Sequence, residues 1–430
     1  MRTFIPSQTA LVLGGGGAKG AYEIGAIAAL GELGIKAGSV YGTSVGGLNA
    51  ALYAQGDMER AWELWENIRL SDVVSEESLT VADAAEDLFD HPDKLLEFFS
   101  RYAQQKGVDV SPLVAMLSRT IDERAVRASG MTLGVVTTRF PTLARVEKRL
   151  SEMPEGTLCD WLLASASCFP VFPMKQIGED RYIDGGYCDN TPVDMAVRGG
   201  ARAIIAVDIG KHRSHAQYDR RPNVTYIRAS QPLGGLLTFS PESSARNRIL
   251  GYNDTMRAFG RMRGVHYSFD PADAQALRGR AEDFLIRLTQ AEANLAIKSA
   301  LARLDTAAPL FSLLEEELPA GADEIDYLLR ACELCADIAG IEPAQVFTFS
   351  AFRDELRAHL PLSKAEAMMS LLLGGRIGTL FSSPQPDRRL VIACLYHLLQ
   401  RENAFSAIAM HTLAAFPREM LCALTLREIL

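Results

Sequence analysis

Residues 41–50 read YGTSVGGLNA, and the rest of the sequence is best understood from this segment. Ser44 has a glycine two residues away on each side, Gly42 and Gly46, which is the G-x-S-x-G pattern of a sharp strand-to-helix elbow. Glycine suits these positions because neighbouring backbone must pass close by. Residues 45–55 predict a buried helix whose N-terminus carries a partial positive charge beside the serine. The pattern favours Ser44 as an attacking nucleophile, although a glycine-rich turn with an exposed serine fits this motif equally well.

The residues before the elbow predict the start of an α/β domain. Residues 9–13 (TALVL) are a compact apolar run, typical of a central strand buried on both faces. A glycine loop follows at residues 14–20 (GGGGAKG), then a helical pattern to about residue 33 and a short strand at residues 39–41. This order of strand, glycine loop, helix, strand and elbow indicates a parallel sheet.

Three explanations fit the glycine loop. Gly15-x-Gly17-x-x-Gly20 matches the dinucleotide-binding fingerprint by letter, but the second strand ends at the serine elbow and not in the acidic residue that holds a ribose. A phosphate-binding P-loop needs Gly-Lys-Ser/Thr, whereas Gly20 is followed by Ala21. An oxyanion hole is the third explanation, because consecutive glycines at a helix N-terminus expose backbone N–H groups. This third explanation uses both glycine motifs together.

Composition excludes several classes of protein. The chain has 430 residues, 48% of them hydrophobic and 23% charged, as in a folded protein with two to three domains. Its net charge of -9 and the lack of long basic runs argue against nucleic acid as a partner. No secretory signal or bilayer-spanning apolar run is evident, so a cytoplasmic protein is expected, with signal-free secretion left open.

The seven cysteines form an odd, scattered set, which favours reduced thiols. Cys332 and Cys335 form a C-x-x-C inside a helical pattern without a second pair. We therefore expect two thiols packed on a helix rather than a zinc site.

The chain divides into an α/β domain at residues 1–270 and an all-helical domain of unknown role at residues 271–430. Further strands and helices of the first domain are expected at residues 131–138, 143–150, 158–167, 203–209, 224–229 and 241–259. Residues 71–98 are acidic and predict an exposed excursion, either a plain helical insertion or a lid. In the second domain, residues 272–304 predict one long amphipathic helix.

An aspartate supplies the best candidate for a catalytic base. Asp184 stands at a predicted strand end before two glycines, where a carboxylate can be held at an active site or can simply close an Asp-Gly turn. None of the seven histidines lies in a glycine-bearing or strand-end motif. Asp208, Lys211, His212 and His215 cluster without a clear carboxylate partner, so we expect a solvated loop there and no metal site.

These motifs together resemble the patatin-like phospholipases. The family combines a G-G-G-x-R/K-G loop, a G-x-S-x-G elbow and a D-G-G/A motif, which stand here at residues 15–20, 42–46 and 184–186. The resemblance covers roughly residues 9–269; one departure is Gly14, where many members carry aspartate. It implies a three-layer α/β/α fold with a mostly parallel central sheet, and a Ser-Asp dyad that hydrolyses acyl esters of lipids.

The resemblance also implies a role for each motif residue. Ser44 attacks the ester carbonyl, Asp184 takes its proton and later activates water, and the amides of residues 15–17 hold the oxyanion. The implied oxyanion residues are Gly15, Gly16 and Gly17, and the residues that support the motifs are Lys19, Gly20, Gly42, Gly46, Gly185 and Gly186. We expect no metal and no cofactor. The expected partner is a lipid or lysolipid substrate, with transient contact to a membrane surface.

Two alternatives stay open at this level. An acyltransferase or thioesterase would use an alcohol or thiol in place of water, and it would normally carry a histidine near the serine. A lipid-binding protein with a silent dyad belongs to a different class. Labelling of the serine by a fluorophosphonate probe distinguishes this second class from an enzyme.

Overall fold

The computed structural model describes residues 4–78, 108–210, 215–302, 310–371, 386–400 and 416–430. The chain forms two compact units, Met1–Ala258 and Phe259–Leu430. The predicted boundary at residue 270 falls inside the second unit, because the short strand Ser268–Phe269 pairs there with Val346–Phe347.

An eight-stranded sheet forms the centre of the first unit. Its strands are β1 (Thr9–Leu13), β2 (Ser39–Thr43), β3 (Thr132–Phe140), β4 (Ala144–Arg149), β5 (Lys175–Ile177), β6 (Asp180–Asp184), β7 (Ala203–Asp208) and β8 (Val224–Arg228). Five strands run parallel in the order β3-β2-β1-β7-β8, while β4 and β6 are antiparallel to β3, and β5 is antiparallel to β6. The predicted mostly parallel α/β sheet is confirmed; the sequence pattern does not predict β5.

Helices cover both faces of this sheet. The described helices of the first unit are α1 (Ala21–Glu32), α2 (Val45–Gln55), α3 (Met58–Asn67), α4 (Ser111–Thr120), α5 (Glu123–Ala128), α6 (Leu158–Ser165), α7 (Val193–Arg198) and α8 (Pro241–Ala258). Val136 of β3 packs in one apolar cluster with Met195 of α7, whereas a Cβ on Gly47 of α2 would lie 3.4 Å from the neighbouring Val135. Successive strand residues point to opposite faces, so α7 and α2 lie on opposite sides.

The first strand shows why its sequence is continuously apolar. All five residues of β1 are buried, and the strand is paired on both edges, with β2 and with β7. With helices on both faces, neither row of side chains reaches solvent, so the usual alternation of apolar and polar residues is lost. The result is the three-layer α/β/α arrangement expected from the sequence.

Apart from the strand pair named above, the described part of the second unit is helical. Its helices are α9 (Pro271–Gln275), α10 (Arg278–Ala302), α11 (Ser312–Glu315), α12 (Glu324–Ala339), α13 (Phe349–His359), α14 (Leu362–Leu371), α15 (Arg388–Leu399) and α16 (Pro417–Ile429). The single long helix predicted for residues 272–304 is interrupted: a turn after Gln275 buries Leu277 against the core before the second helix begins. Part of that range, residues 303–304, lies outside the described residues.

Cys332 and Cys335 pack on a helix, as the sequence pattern predicts. All seven cysteines are free thiols, and Cys332 and Cys335 are fully buried in α12, packed in the apolar core of the second unit. Among the described helices of the chain, none has both the length and the apolar character needed to cross a bilayer.

Candidate active site

The serine elbow forms where the sequence predicts it. β2 ends at Thr43, α2 begins at Val45, and Ser44 between them has φ 53° and ψ -126°. A positive φ is strained for a residue with a side chain and persists only where the surroundings enforce it. A Cβ on Gly42 would lie 2.2 Å from the Gly46 carbonyl oxygen, and a Cβ on Gly46 would lie 2.4 Å from the Leu13 carbonyl oxygen, so these two positions admit only glycine without a backbone shift.

A second serine holds the elbow in place. The Ser44 amide donates to the Ser165 hydroxyl oxygen at 2.8 Å, and the Ser165 hydroxyl donates in turn to the Val136 carbonyl at 2.6 Å. Ser165 is fully buried at the end of α6. The sequence assigned no role to this residue, although it lies in the segment 164–173 that resembles the patatin-like phospholipases.

The register of β3 brings Asp184 to the serine. Thr43 of β2 pairs with Val136, and Asp184 of β6 pairs with the next residue, Thr137. Because β4 pairs with both Val136 and Thr137, it occupies one edge of β3, and β2 and β6 follow each other along the opposite edge. The last residues of β2 and β6 therefore meet end to end, with Ser44 immediately beyond.

Asp184 is a buried carboxyl group, 7% exposed. Burial raises its pKa from 3.8 to about 6, although hydrogen bonds with the Gly186 amide, at 2.7 Å, and with the Ser44 side chain favour the ionised form. A carboxylate with a pKa near 6 is mostly ionised at neutral pH and is still basic enough to share a proton with an attacking hydroxyl.

The glycine loop lies beside the serine, and its amides are not equivalent. A Cβ on Gly15 would lie 3.3 Å from the Ser44 Cβ, but the Gly15 amide already donates to the Asn190 carbonyl at 2.9 Å. Within the described part of the chain, the amides of Gly16 and Gly17 have no hydrogen-bond partner. The φ of Gly17 is 56°, and a Cβ there would lie 2.1 Å from the Leu236 carbonyl oxygen, so this position requires glycine.

Asn190 joins the glycine loop to the aspartate turn. Its side-chain Nδ2 donates to the Gly15 carbonyl at 3.0 Å, and its own carbonyl accepts the Gly15 amide. A Cβ on Gly186 would lie 3.0 Å from Asn190 Oδ1 and 3.1 Å from Asp184 Oδ1, so both side chains lie close to the aspartate turn. The loop and the aspartate turn are thus held against each other by backbone and side chain of one residue.

The remaining loop residues are anchored to neighbouring helices. The Gly20 carbonyl accepts a hydrogen bond from Asn49 of α2 at 3.0 Å, and Asn49 also contacts buried Glu23 at 2.8 Å and Trp65 at 2.9 Å. Lys19 lines the cavity described below. These contacts fix the loop with respect to the serine elbow.

A cavity of about 860 Å³ is lined by Ser44, Asp184 and the glycine loop. Its walls are mainly apolar and come from α2, α3, α4, the segment 171–172 and the loop 234–239; the apolar side chains include Leu48, Trp65, Leu113, Met116, Leu117, Val171, Phe172, Leu236 and Phe239. Lys19 and Asp184 are the only charged residues among the described lining residues. Such a cavity suits an apolar ligand oriented by a few polar groups.

One expectation about charged residues was wrong. His215 has a carboxylate partner: its Nε2 lies 2.7 Å from Oδ1 of the buried Asp189, which is distant in sequence but adjacent in the fold. Asp189, Asp194 and His215 place atoms that can bind metal within 4.8 Å of one another. Arg145 already lies 3.0 Å from Asp189 and 3.7 Å from Asp194, so we interpret the group as an ion-pair network. Lys211 and His212 lie outside the described residues.

The fold and the site together define an α/β domain in which a strand-end serine elbow, a buried carboxyl group and a glycine loop with free amides line one cavity. Residues 11–197 match the family described as patatin-like phospholipase, so this part of the chain is similar to that family.

Relatives with similar sequences match about half of this chain. The chain is 29% identical over 212 residues to patatin-like phospholipase domain-containing protein 6 of Mus musculus, covering 49% of this chain and 14% of the relative. It is 30% identical over 200 residues to lysophospholipase NTE1 of Mycosarcoma maydis, covering 46% of this chain and 10% of the relative. The match therefore spans a small part of these relatives' own length. Among solved structures, VipD from Legionella pneumophila matches with a TM-score of 0.40 and 14% identity, covering 97% of this chain and 92% of that chain.

Proposed function

We propose that this chain hydrolyses carboxylic esters of phospholipids or lysophospholipids by a Ser44–Asp184 dyad. The observation that carries the proposal is the register of β3, which brings Ser44 and the buried Asp184 carboxylate together as lining residues of one mainly apolar cavity. The similarity to the patatin-like phospholipase family and the relatives named phospholipase and lysophospholipase support the same substrate class.

The first half of the reaction acylates the serine. The Ser44 oxygen attacks the ester carbonyl carbon while its proton passes to Asp184. Collapse of the tetrahedral intermediate breaks the bond to the leaving alcohol, and Asp184 returns the proton to that alcohol's oxygen. In the second half, Asp184 takes a proton from water and the water oxygen attacks the acyl carbon. The bond between this carbon and the Ser44 oxygen then breaks, Asp184 returns the proton to that oxygen, and the fatty acid is released.

The amides of Gly16 and Gly17 are the proposed oxyanion donors. They are unpaired within the described chain and belong to the loop that lies against Ser44. Each preorganised donor of this type contributes about 3–4 kcal/mol to lowering the barrier. Gly15 has a different role in this proposal, because its amide donates to the Asn190 carbonyl and its carbonyl accepts a hydrogen bond from the Asn190 side chain.

The apolar walls provide the proposed site for the acyl chain. Burial of each methylene group contributes about 0.8 kcal/mol, so a fatty acyl chain lying along Leu48, Met116 and Leu117 would be bound mainly by the hydrophobic effect. The ester group would then lie at the polar end, beside Ser44.

Two measurements test the proposal. A fluorophosphonate probe is expected to label the wild-type chain at Ser44 and to leave Ser44→Ala unlabelled. Fatty acid release is expected from a panel of phospholipids, lysophospholipids and triacylglycerols, and none from Ser44→Ala. Absence of both labelling and fatty acid release in the wild type would overturn the proposal. Labelling without release from any lipid would support Ser44 as a nucleophile but would refute the proposed lipid substrates.

A further inference from the structure

A second buried carboxylate lies five residues after Asp184. The Asp189 side chain is 1% exposed, and its two oxygens contact two different basic side chains. Oδ1 lies 2.7 Å from His215 Nε2, and Oδ2 lies 3.0 Å from Arg145 Nη1. Removal of one partner from such a buried, hydrogen-bonded ion pair is costly because the remaining charge stays desolvated.

The backbone around Asp189 contacts three parts of the candidate active site. Its carbonyl accepts the Thr43 hydroxyl at 2.8 Å, next to the nucleophile, and its amide donates to the Gly185 carbonyl at 2.9 Å. The following residue, Asn190, holds Gly15 through both its side chain and its carbonyl. A displacement of Asp189 would therefore shift the serine elbow, the aspartate turn and the glycine loop together.

We propose that the ion pair of Asp189 with protonated His215, supported by Arg145, positions the active site, so that loss of the His215 proton lowers activity without any contact between His215 and the substrate. This inference rests on the proposed function of the Ser44–Asp184 dyad. Neither Asp189 nor His215 lines the cavity, which makes them positioning residues and not catalytic ones.

The surroundings of His215 come from several elements of the first unit. Its Nδ1 lies 3.2 Å from Gln217 Nε2 and 3.8 Å from Asp194 Oδ2. Within the described chain, the charged groups that face His215 or its partners are Asp189, Asp194, Arg145 and the Arg198–Glu147 pair beside Arg145. Two tyrosines also face this group: the Tyr218 hydroxyl donates to Asp194, and the Tyr226 hydroxyl donates to the His215 carbonyl.

These groups determine the direction in which the pKa of His215 is shifted. The hydrogen bond to Asp189 raises the pKa of His215, burial lowers it, the charges of Asp189 and Asp194 raise it, and Arg145 lowers it; the balance is a raised pKa. The protonated form is therefore stabilised by the fold, and the ion pair is lost as pH rises through the raised value. Activity should then have an alkaline limb that belongs to His215.

The first experiment measures fatty acid release from lysophosphatidylcholine, whose head group does not titrate in this range, between pH 5 and 10. His215→Gln is expected to lower activity about tenfold to a hundredfold at neutral pH, because the reacting groups are then misplaced. It is also expected to abolish the alkaline limb. His266→Gln removes a similar histidine–carboxylate pair, to Glu317 in the second unit, and should keep the wild-type profile. An unchanged alkaline limb in His215→Gln would overturn the proposal.

Charge variants give a sharper readout, because their effects have opposite signs. Arg145→Gln removes a positive charge near His215 and should move the midpoint of the alkaline limb to higher pH, whereas Asp194→Asn should move it to lower pH. A purely structural role for these residues would lower activity without moving the midpoint. Shifts of the same sign in both variants would contradict the assignment to His215.

A measurement without substrate separates this inference from the proposed function. The Thr43 methyl signal, followed by NMR together with the His215 ring signal, is expected to share the His215 midpoint in the wild type and in Ser44→Ala. In His215→Gln that midpoint should disappear, leaving only the titration of the neighbouring Asp184. If this coupled titration appears but hydrolysis is absent, the proposed function fails and the positioning stands. If the Thr43 signal does not follow His215, the positioning is overturned whatever the activity.

Discussion

Thr43 and Asp184 pair with consecutive residues of one strand, Val136 and Thr137, along the same edge of β3. A Cβ on Gly185, the residue after the aspartate, would lie 2.9 Å from Thr43 Cγ2. Two strands from distant parts of the chain thus end against each other, and the residues at their ends form the candidate dyad. The geometry of the site follows from strand register and does not depend on a flexible loop.

Removal of either dyad member is expected to abolish hydrolysis. Ser44→Ala deletes the nucleophile, and Asp184→Asn leaves no carboxylate to accept its proton, so each should lower kcat/KM by at least about 10³-fold. Fatty acid release measures the loss, and circular dichroism checks that the fold is retained. A normal rate in either variant would refute the dyad.

Hydrolysis should decline in acid as Asp184 becomes protonated. Because burial raises the pKa of Asp184 to about 6, kcat/KM is expected to fall tenfold per pH unit well below pH 6. The measurement is the pH profile of kcat/KM between pH 4 and 8. A profile that stays flat down to pH 4.5 would show that this carboxylate is not the base.

The same burial predicts that Asp184→Asn is stabilising at high pH. The folded-state pKa is raised from 3.8, so wild-type stability is highest below that value and decreases as pH rises through about 6. A neutral amide escapes this loss, which amounts to roughly 1.4 kcal/mol per unit of pKa. Thermal unfolding at pH 8 should give Asp184→Asn a higher Tm than the wild type, with the difference shrinking at pH 4.

Ser165→Ala should destabilise the first unit and slow the reaction. The change leaves the partly buried Ser44 amide without its acceptor, which should cost about 1–3 kcal/mol. Ser167→Ala is the matched control, since its hydroxyl, in an equally buried residue, donates only to the Leu163 carbonyl, one turn earlier. The two variants should differ in Tm and, more strongly, in kcat; equal effects would argue against a role of Ser165 in holding the elbow.

Substitutions of Asn190 test whether the glycine loop must be held in place. Asn190→Ala removes the bond to the Gly15 carbonyl and is expected to lower kcat about tenfold to a hundredfold with little change in KM. Asn190→Asp should be worse, because it places a second negative charge near Asp184 and raises the pKa of that base. Steady-state kinetics at pH 7 and pH 9 distinguishes the two, since only Asn190→Asp should recover at the higher pH.

A buried carboxylate also stabilises the second unit. Glu333 is fully buried, and its Oε1 accepts the amides of Val265, His266 and Tyr267 at 2.7, 3.0 and 3.1 Å, while Oε2 lies 3.2 Å from Arg330. Glu333→Ala leaves these donors unpaired and should lower the free energy of unfolding by about 3–5 kcal/mol.

The matched control removes an exposed carboxylate. Glu355→Ala breaks the pair between Glu355 and His359, two side chains that are each more than two-fifths exposed. It should lower the free energy of unfolding by less than about 1 kcal/mol. Chemical denaturation of the full chain, followed by a probe in the second unit, compares the two. Similar losses in both variants would mean that the Glu333 contacts contribute little.

The sequence by itself determined the α/β order, the serine elbow and the aspartate before two glycines. These features are local: Gly42 and Gly46 are required by close backbone approach around Ser44, and β1 is continuously apolar because it is buried on both faces. Only the tertiary structure decided which amides of the glycine loop are free, because the partner of Gly15 is Asn190, far along the chain. The same holds for Ser165 and for the pairing of His215 with Asp189, since strand register and long-range ion pairs bring together residues that no local pattern connects.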